Sequence, residues 1–164
     1  MRIADYIQDS ISDGPGLRFT LFVQGCPRAC EGCHNGHTRD PHGGREESVE
    51  NIIRAMLSNP LTDGLTLSGG EPFAQPAACV AIAEAARERN LTVWAYSGYT
   101  FEELLSHEDR ATRKLLALCD VLVDGPFRLS ERSLRLKWRG SHNQRLLDIP
   151  QSLEKKQAVL WEEA

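Results

Sequence analysis

The sequence lacks several features that would place the chain in a specialised class of protein. Its 164 residues contain no apolar run approaching the ~20 residues that a membrane helix requires. The first sixteen residues carry acidic side chains and no apolar signal core, so we expect a cytoplasmic protein with no membrane partner. The net charge of −4 lacks the basic excess of a nucleic-acid binder and disfavours that class. No internal repeat, low-complexity tract or linker is visible, so residues 1–164 are expected to form a single domain.

Cysteine is scarce and unevenly placed. There are five cysteines, an odd number, and three of them fall within eight positions. Such crowding does not resemble a disulfide framework in a chain of this size. In a reducing compartment, clustered cysteines are more often metal ligands or catalytic groups. The other two, Cys79 and Cys119, stand apart, and we expect them to be small core residues.

Short apolar runs alternate with longer amphipathic ones along the chain. The patterns predict strands over 17–24, 65–67, 91–96 and 121–123, and helices over 48–58, 77–89, 100–105 and 110–118. Ser48 and Thr100 are predicted to cap two of these helices. Alternation of this kind implies a parallel sheet built from βα units, here with about five or six strands. A closed eight-fold barrel takes ~250 residues, so an α/β fold with an open partial (β/α) barrel is expected.

Polar residues follow each predicted strand at its carboxyl end. They occupy positions 25–26, 68–71, 97–99 and 124–125. In parallel α/β folds, ligands bind at the edge where the carboxyl ends of the strands meet. Four such segments on one edge therefore predict a ligand site there.

The central motif is Cys26-Pro-Arg-Ala-Cys30-Glu-Gly-Cys33, a C-x3-C-x2-C spacing directly after a predicted strand. Three thiolates on one tight loop can converge on a single metal centre, and soft thiolates suit iron–sulfur clusters or zinc. A cubane cluster normally takes four cysteines. Three cysteines leave one iron without a protein ligand, and a substrate can bind at that open position.

Other interpretations of the motif stay open at this point. A structural zinc site needs four protein ligands, and His34, His37 or His42 could supply the fourth. The residues from Cys30 to His34 also match the C-x-x-C-H pattern of haem attachment, which requires an exported chain. A C-x-x-C redox pair would open a helix, which 34–36 do not favour, and would leave Cys26 unexplained.

The cysteine motif after the first predicted strand resembles that of the radical S-adenosylmethionine superfamily. Residues 13–18 (DGPGLR) resemble the segment that precedes the cluster loop in glycyl-radical-enzyme activases, and residues 68–72 (SGGEP) resemble the superfamily's GGEP segment. Residues 94–104, 122–126 and 138–145 together are similar to the activating proteins of anaerobic ribonucleoside-triphosphate reductases. The resemblance covers roughly residues 5–150. It departs at Gly32, where an aromatic residue is usual, and at His34, where a tyrosine is frequent.

The resemblance implies an activity. Cys26, Cys30 and Cys33 would bind a [4Fe–4S] cluster, making them both metal ligands and catalytic residues. S-adenosylmethionine would chelate the free iron and be cleaved to a 5′-deoxyadenosyl radical. The target would be the glycyl loop of the large subunit of anaerobic ribonucleoside-triphosphate reductase. Alternative targets are another glycyl-radical enzyme or a small molecule, and the non-enzyme alternative is a zinc-binding interaction module.

The resemblance also implies a set of cofactor-binding residues. The methionine amine would meet Gly69, Gly70 and Glu71, although Glu71 could instead be a first-turn helix charge. Gly32 and His34 would contact the adenine end by backbone or ring. Polar residues at the other strand ends could touch the sugar or carboxylate, or merely finish a strand or turn: Ser97, Asp124 and Asn143.

Two expectations follow from what remains after the three ligands are assigned. Two further cysteines are too few for a second all-cysteine cluster, so the electron must come from outside, from a flavodoxin- or ferredoxin-like donor. The chain also has no room for a separate substrate domain. An open barrel edge suits a substrate that is itself a protein loop.

Overall fold

The computed structural model describes residues 1–28, 30–33 and 35–163, and seven strands in this part of the chain form one sheet. The strands are β1 (Arg2–Ser10), β2 (Arg18–Val23), β3 (Arg45–Glu46), β4 (Gly64–Gly69), β5 (Thr92–Tyr96), β6 (Val121–Asp124) and β7 (Arg145–Asp148). Their order across the sheet is β3-β1-β2-β4-β5-β6-β7.

The middle of the sheet is parallel and its margins are antiparallel. Strands β2, β4, β5 and β6 run in one direction, and they are the four strands that the sequence predicts. Strand β1 pairs antiparallel with β2, β3 pairs antiparallel with β1, and β7 pairs antiparallel with β6. The sheet is open between β3 and β7. This confirms the α/β architecture and is compatible with a partial barrel, with three marginal antiparallel strands beyond the parallel ones expected.

Five helices accompany the sheet in the described part of the chain: α1 (Val49–Met56), α2 (Pro76–Glu88), α3 (Phe101–Leu105), α4 (Arg110–Leu118) and α5 (Ile149–Lys155). Ser48 caps α1, because its hydroxyl accepts a hydrogen bond from the backbone N–H of Asn51 at 3.1 Å. Thr100 and Glu103 form a reciprocal capping box at the start of α3. Both predicted caps are confirmed, and such bonds satisfy backbone donors that the first helical turn leaves unpaired.

The two faces of the sheet differ in character. The helix-side face carries the main apolar core, in which alternate strand residues pack against the helices, for example Leu21, Leu67 and Ala95. The other face, here called the inner face, carries buried polar residues and a smaller cluster around Trp94. This division follows from the alternation of side chains along each strand.

Arg18 is the largest polar side chain on the inner face. It is fully buried, and its guanidinium donates to Thr66 Oγ1 at 2.7 Å and to the carbonyl oxygen of Leu65 at 2.8 Å. The guanidinium carbon lies 5.6 Å from the centre of the Trp94 ring. Burial lowers the pKa of Arg18 to about 10. The inner face is therefore held together by polar contacts as well as by apolar packing.

None of the helices found in residues 1–28, 30–33 and 35–163 combines the length and apolar character needed to cross a membrane. The assignment of residues 1–164 to a single domain stays a prediction.

Candidate functional site

A cavity of about 540 Å³ lies at the carboxyl ends of the parallel strands. Its walls come from the end of every parallel strand and from the loops that follow: Phe22, Ser68, Gly69, Gly70, Tyr96, Ser97, Gly98 and Gly125. This is the edge at which the sequence predicts a ligand site. The volume falls within the roughly 300–1,000 Å³ typical of small-molecule sites.

The three clustered cysteines line this cavity together. Cys26, Cys30 and Cys33 are free thiols of intermediate exposure on the loop after β2. The loop is held by backbone hydrogen bonds, including one from Cys26 N to the carbonyl oxygen of Arg39 at 3.0 Å. Burial is the main reason that the pKa of the Cys26 thiol is raised. Three sulfur donors facing one cavity fit the ligand chemistry of an iron–sulfur cluster.

The zinc interpretation needs a fourth ligand close to these thiols. His37 and His42 are exposed and are not among the residues that line the cavity, while His34 lies outside the described residues. Among the side chains that the structure describes, no three from His, Cys, Asp and Glu are grouped so as to hold one metal ion, and this applies to the three cysteines as well. The three thiols therefore share a cavity without forming a single-ion site, and a cubane cluster differs from zinc in that each thiolate binds a separate iron.

The turn after β4 packs directly on the start of the cysteine loop. Gly70 N donates to the carbonyl oxygen of Val23 at 2.7 Å, and Glu71 N donates to that of Gly25 at 2.9 Å. A Cβ on Gly70 would overlap the carbonyl oxygen of Gly25, so a side chain cannot be accommodated without movement of the backbone. Gly69 and Gly70 both line the cavity, as their predicted role requires. That role itself stays a prediction.

Glu71 is a buried carboxylate in the cavity wall, with 1% of its surface exposed. It accepts hydrogen bonds from Ser97 Oγ at 3.0 Å, from Gly98 N at 2.8 Å and from Phe73 N at 3.2 Å. Burial raises the pKa of Glu71 to about 7, although these donors favour the charged form and partly oppose the shift. The bond from Phe73 N caps a short 3₁₀ turn, so Glu71 has a structural task beside its predicted role towards the amine.

Ser97 and Asp124 have different surroundings. Ser97 lines the cavity and donates its hydroxyl to Glu71. Asp124 is buried but is not among the residues that line the cavity. Its carboxylate accepts from Phe101 N at 2.7 Å and pairs with Arg145 at 2.6 Å. Asp124 therefore joins the start of α3 to β7, and its assignment to cofactor binding stays a prediction.

Gly32 has a backbone conformation that residues with side chains rarely adopt. Its φ of +73° lies in the left-handed region, and a Cβ there would be 2.9 Å from Cδ1 at the end of the Leu129 side chain. The positive φ therefore favours glycine over an aromatic residue at this position. Gly32 is not among the cavity-lining residues, so a contact with adenine through its backbone stays a prediction, as does any contact of His34, outside the described residues.

Arg28 lines the cavity and was not identified from the sequence. Its guanidinium lies 4.7 Å from the centre of the Tyr99 ring and pairs with Glu103 at 3.2 Å. The Nε atom is buried and finds no hydrogen-bond partner among the described residues. A buried unsatisfied donor is costly, which makes this atom a candidate contact for an anionic or polar ligand. Its position between the first two cysteines is the only sequence feature that could have indicated it.

Trp138 closes another part of the cavity wall. Its ring packs against Trp94 at 5.2 Å and Trp161 at 5.7 Å, centre to centre. Arg139, beside it, donates to the carbonyl oxygens of His142 and Gln144. Residues far apart in the sequence therefore build one wall, and tertiary packing decides their positions.

Comparisons with known proteins identify a family and several relatives. A family model described as a 4Fe-4S single cluster domain matches residues 12–147. A Vibrio cholerae protein is 35% identical over 153 residues, which are 88% of this chain and 96% of the relative. A Pasteurella multocida protein is 35% identical over 152 residues, covering 88% and 95% of the two chains. An Enterobacteria phage T4 protein is 34% identical over 142 residues, covering 82% and 85%.

All three relatives bear the name anaerobic ribonucleoside-triphosphate reductase-activating protein. Among solved structures, the crystal structure of QueE from Escherichia coli gives a TM-score of 0.48 at 15% identity. That match covers 85% of this chain and 63% of the QueE chain.

Proposed function

The chain belongs to the family of anaerobic ribonucleoside-triphosphate reductase-activating proteins with a 4Fe-4S single cluster domain, and from this premise we propose its reaction. The protein reductively cleaves S-adenosylmethionine at a [4Fe–4S] cluster and generates a glycyl radical on the large subunit of anaerobic ribonucleoside-triphosphate reductase. The observation that carries this proposal is the meeting of three cysteine thiols with the Gly69-Gly70-Glu71 turn in one cavity.

The residues of the chain divide the work between them. Cys26, Cys30 and Cys33 would hold the cluster through three thiolates. When bound, the reduced cluster supplies one electron for the cleavage of S-adenosylmethionine to methionine and a 5′-deoxyadenosyl radical, which takes a hydrogen atom from the partner's glycine. The chain's other residues bind, orient and shield the reactants.

Glu71 is the proposed counter-ion for the methionine amine. Its buried carboxylate faces the cavity, and a cationic amine beside it would favour the charged form and lower its pKa. Gly69 and Gly70 present backbone without side chains, so the substrate can approach closely. Ser97 holds the carboxylate in place through its hydroxyl.

The rim of the cavity supports a protein loop as the second substrate. Ile7, Ser12 and Asp13, from β1 and the loop after it, contribute to the lining. Ile7 is half-exposed and the nearby Ile11 is 80% exposed. Exposed apolar side chains at the mouth of a cavity are typical of a surface that a protein partner covers.

An external electron donor is part of the proposal. Beyond the cluster ligands, the remaining cysteines are Cys79 and Cys119, and both are buried in the apolar core. Burial raises the pKa of Cys79 to about 12 and that of Cys119 further still. Neither suits a second redox centre. We therefore infer a flavodoxin- or ferredoxin-like donor and a cytoplasmic setting.

The test is anaerobic reconstitution followed by iron, sulfide and product analysis. We expect wild-type protein to bind roughly four iron and four sulfide ions per chain and, with dithionite, to release 5′-deoxyadenosine from S-adenosylmethionine. Cys30→Ala should lose the cluster and the product. The matched control, Cys79→Ala, changes a buried cysteine outside the cavity and should retain both.

Two results would overturn the proposed cleavage of S-adenosylmethionine. A colourless protein that holds zinc and no sulfide would indicate the zinc-binding interaction module. A complete cluster that yields no 5′-deoxyadenosine would exclude the cleavage reaction. The target has a separate test. When the protein does release 5′-deoxyadenosine, electron paramagnetic resonance after incubation with the anaerobic reductase should show a glycyl radical. A radical only on a different glycyl-radical enzyme, or none on any protein, would redirect the target to that enzyme or to a small molecule.

A further inference from the structure

One short segment concentrates positive charge on an otherwise acidic protein. Residues 128–139, here called the basic loop, contain five basic side chains and one acidic side chain, whereas the whole chain carries a net charge of −4. The basic side chains are Arg128, Arg132, Arg135, Lys137 and Arg139. The clustering sets up a local positive field that differs in sign from that of the whole molecule.

Part of this charge has no acidic partner within the described residues. Arg128 pairs with Glu131 at 3.2 Å, and Lys137 pairs with Glu163 at 2.9 Å. Arg132 and Arg135 are exposed and form no ion pair with any residue that the structure describes. Two cations on the surface thus remain available to another molecule.

Apolar side chains are exposed beside these two cations. Leu134, which lies between Arg132 and Arg135, is 82% exposed, and Leu129 is 43% exposed. Exposed leucines within a short basic segment are more typical of a protein-binding surface than of a solvated charged face.

The basic loop is folded back on itself rather than extended. Arg132 forms an isolated antiparallel bridge with Ser141, and Ser133 N donates to the carbonyl oxygen of Gly140 at 3.2 Å. Trp138 anchors the loop on Trp94. A surface that is already ordered binds a partner with a smaller loss of conformational entropy.

The same loop touches the cysteine loop. Gly32 lies so close to Leu129 that a Cβ would be only 2.9 Å from Leu129 Cδ1. A second cavity, of about 510 Å³, is lined by Glu31 from the cysteine loop and by residues 127–130. A molecule seated on this end of the basic loop would therefore lie beside the cysteine loop.

We propose that the basic loop, through Arg132, Arg135, Leu129 and Leu134, is the docking surface for an acidic protein that carries a low-potential one-electron carrier. This inference rests on the proposed function, because a reductive cleavage needs one electron for each S-adenosylmethionine. In the transfer, the partner's carrier is oxidised by one electron and the bound cluster is reduced by one. No bond forms or breaks. Complexes between redox proteins are typically small and weak, which suits a short charged patch.

The test measures binding of an acidic flavodoxin to the reconstituted protein. The test variant is Arg132→Glu/Arg135→Glu. The matched control, Arg54→Glu/Arg89→Glu, changes the net charge equally at the carboxyl-terminal ends of α1 and α2, on the opposite edge of the sheet. At ~50 mM salt we expect the Kd to rise about tenfold or more in the test variant and less than about threefold in the control. At ~500 mM salt this difference should largely vanish.

A second readout separates this inference from the proposed function. With dithionite as reductant, both variants should release 5′-deoxyadenosine at the wild-type rate, whereas with reduced flavodoxin only the test variant should slow, by roughly fivefold or more. Iron content and circular dichroism of each variant check its folding. The milder Arg132→Gln/Arg135→Gln variant should slow the flavodoxin-driven reaction and raise the Kd for flavodoxin, in each case by less than the glutamate variant does. No product from the wild type with dithionite would count against the proposed function, and the binding data would still decide the docking surface.

Two results would overturn the docking surface. One is an unchanged flavodoxin Kd in the test variant; if glycyl-radical formation under dithionite is lost as well, the basic loop belongs to the reductase interface instead. The other is equal weakening in the test and control variants, which would reflect net charge alone.

Discussion

Replacing Glu71 by glutamine should change how the stability of the protein depends on pH. The carboxyl group is buried, and burial raises its pKa from the usual 4.5 to about 7. Between those values the unfolded chain has lost the proton while the folded chain still holds it. Since the native state then binds more protons, the free energy of unfolding falls as the pH rises. Glutamine does not titrate, so the variant should lack this decline.

The size of the effect follows from the shift. One pKa unit corresponds to about 1.4 kcal/mol, so a shift from 4.5 to about 7 corresponds to a loss of about 3 kcal/mol between pH 4.5 and pH 8. The substitution also has a constant cost. The amide nitrogen of glutamine is itself a donor, and it would face the backbone N–H of either Gly98 or Phe73, which now donates to the carboxylate. One N–H would then be left without an acceptor, and an unsatisfied buried N–H costs roughly 1–3 kcal/mol. The variant should therefore be the less stable protein near pH 5 and should draw level or overtake the wild type by pH 8.

Urea unfolding of the cluster-free protein from pH 5 to pH 8, kept anaerobic and reduced, measures this difference. Glu88→Gln, at an exposed position on α2, supplies the control and should run parallel to the wild type. If the wild-type curve and the Glu71→Gln curve also run parallel, or if the gap between them widens as the pH rises, the carboxylate is charged in the folded protein. The proposed response of its pKa to the substrate amine would then lose its basis.

Three further outcomes are expected from unfolding measurements under the same conditions. Gly70→Ala should lower the free energy of unfolding by roughly 2 kcal/mol, and in a separate reconstitution it should lower cluster incorporation. In the control, Gly36→Ala, the added Cβ meets nothing within 4 Å, so the free energy of unfolding should change by less than about 0.5 kcal/mol. Equal effects of the two substitutions would contradict the steric argument. Arg18→Met should cost about 3 kcal/mol or more, because buried carbonyl and hydroxyl groups lose their donor, and a neutral result would mean that those groups find other partners. Trp161→Ala should cost roughly 2 kcal/mol, less than a fully buried tryptophan, because the ring is half-buried against two other tryptophans; a cost below about 0.5 kcal/mol would show that it does not support the cavity wall.

The parallel strands and most helices could be predicted from the sequence because their determinants are local. An apolar run marks each parallel strand, and α4 spans Arg110–Leu118 as expected. The strands that were not predicted depend on partners distant in the sequence. Strand β1 carries aspartate, glutamine and serine and is half-exposed, so its composition does not favour a strand. Strand β1 is stabilised instead by its pairing with β2, the outermost parallel strand, whose free edge it covers.

The candidate site also contains residues that the local sequence predicts and residues that it does not. The cysteines and the Gly69-Gly70-Glu71 turn are contiguous motifs at strand ends, and the structure brings them into one cavity. Arg28 and Trp138 reach that cavity through tertiary contacts that no local pattern reports. The sequence alone does not show that Asp124 is already paired, because its partner, Arg145, lies 21 positions later in the chain.

The hydrogen bonds around Glu71 connect the cysteine loop to the loop after β5. Its backbone N–H bonds to Gly25, the residue before the first cysteine, while its carboxylate accepts from Ser97 and Gly98 after β5. A change in the charge of this carboxylate alters the hydrogen bonds between the Glu71 side chain and the loop after β5. The backbone of the same residue meanwhile stays hydrogen-bonded to the start of the cysteine loop. Close packing between Gly70 and Gly25 leaves little room for the turn to absorb such a change. We therefore expect the affinity for S-adenosylmethionine and the geometry of the cysteine loop to be coupled through this one turn.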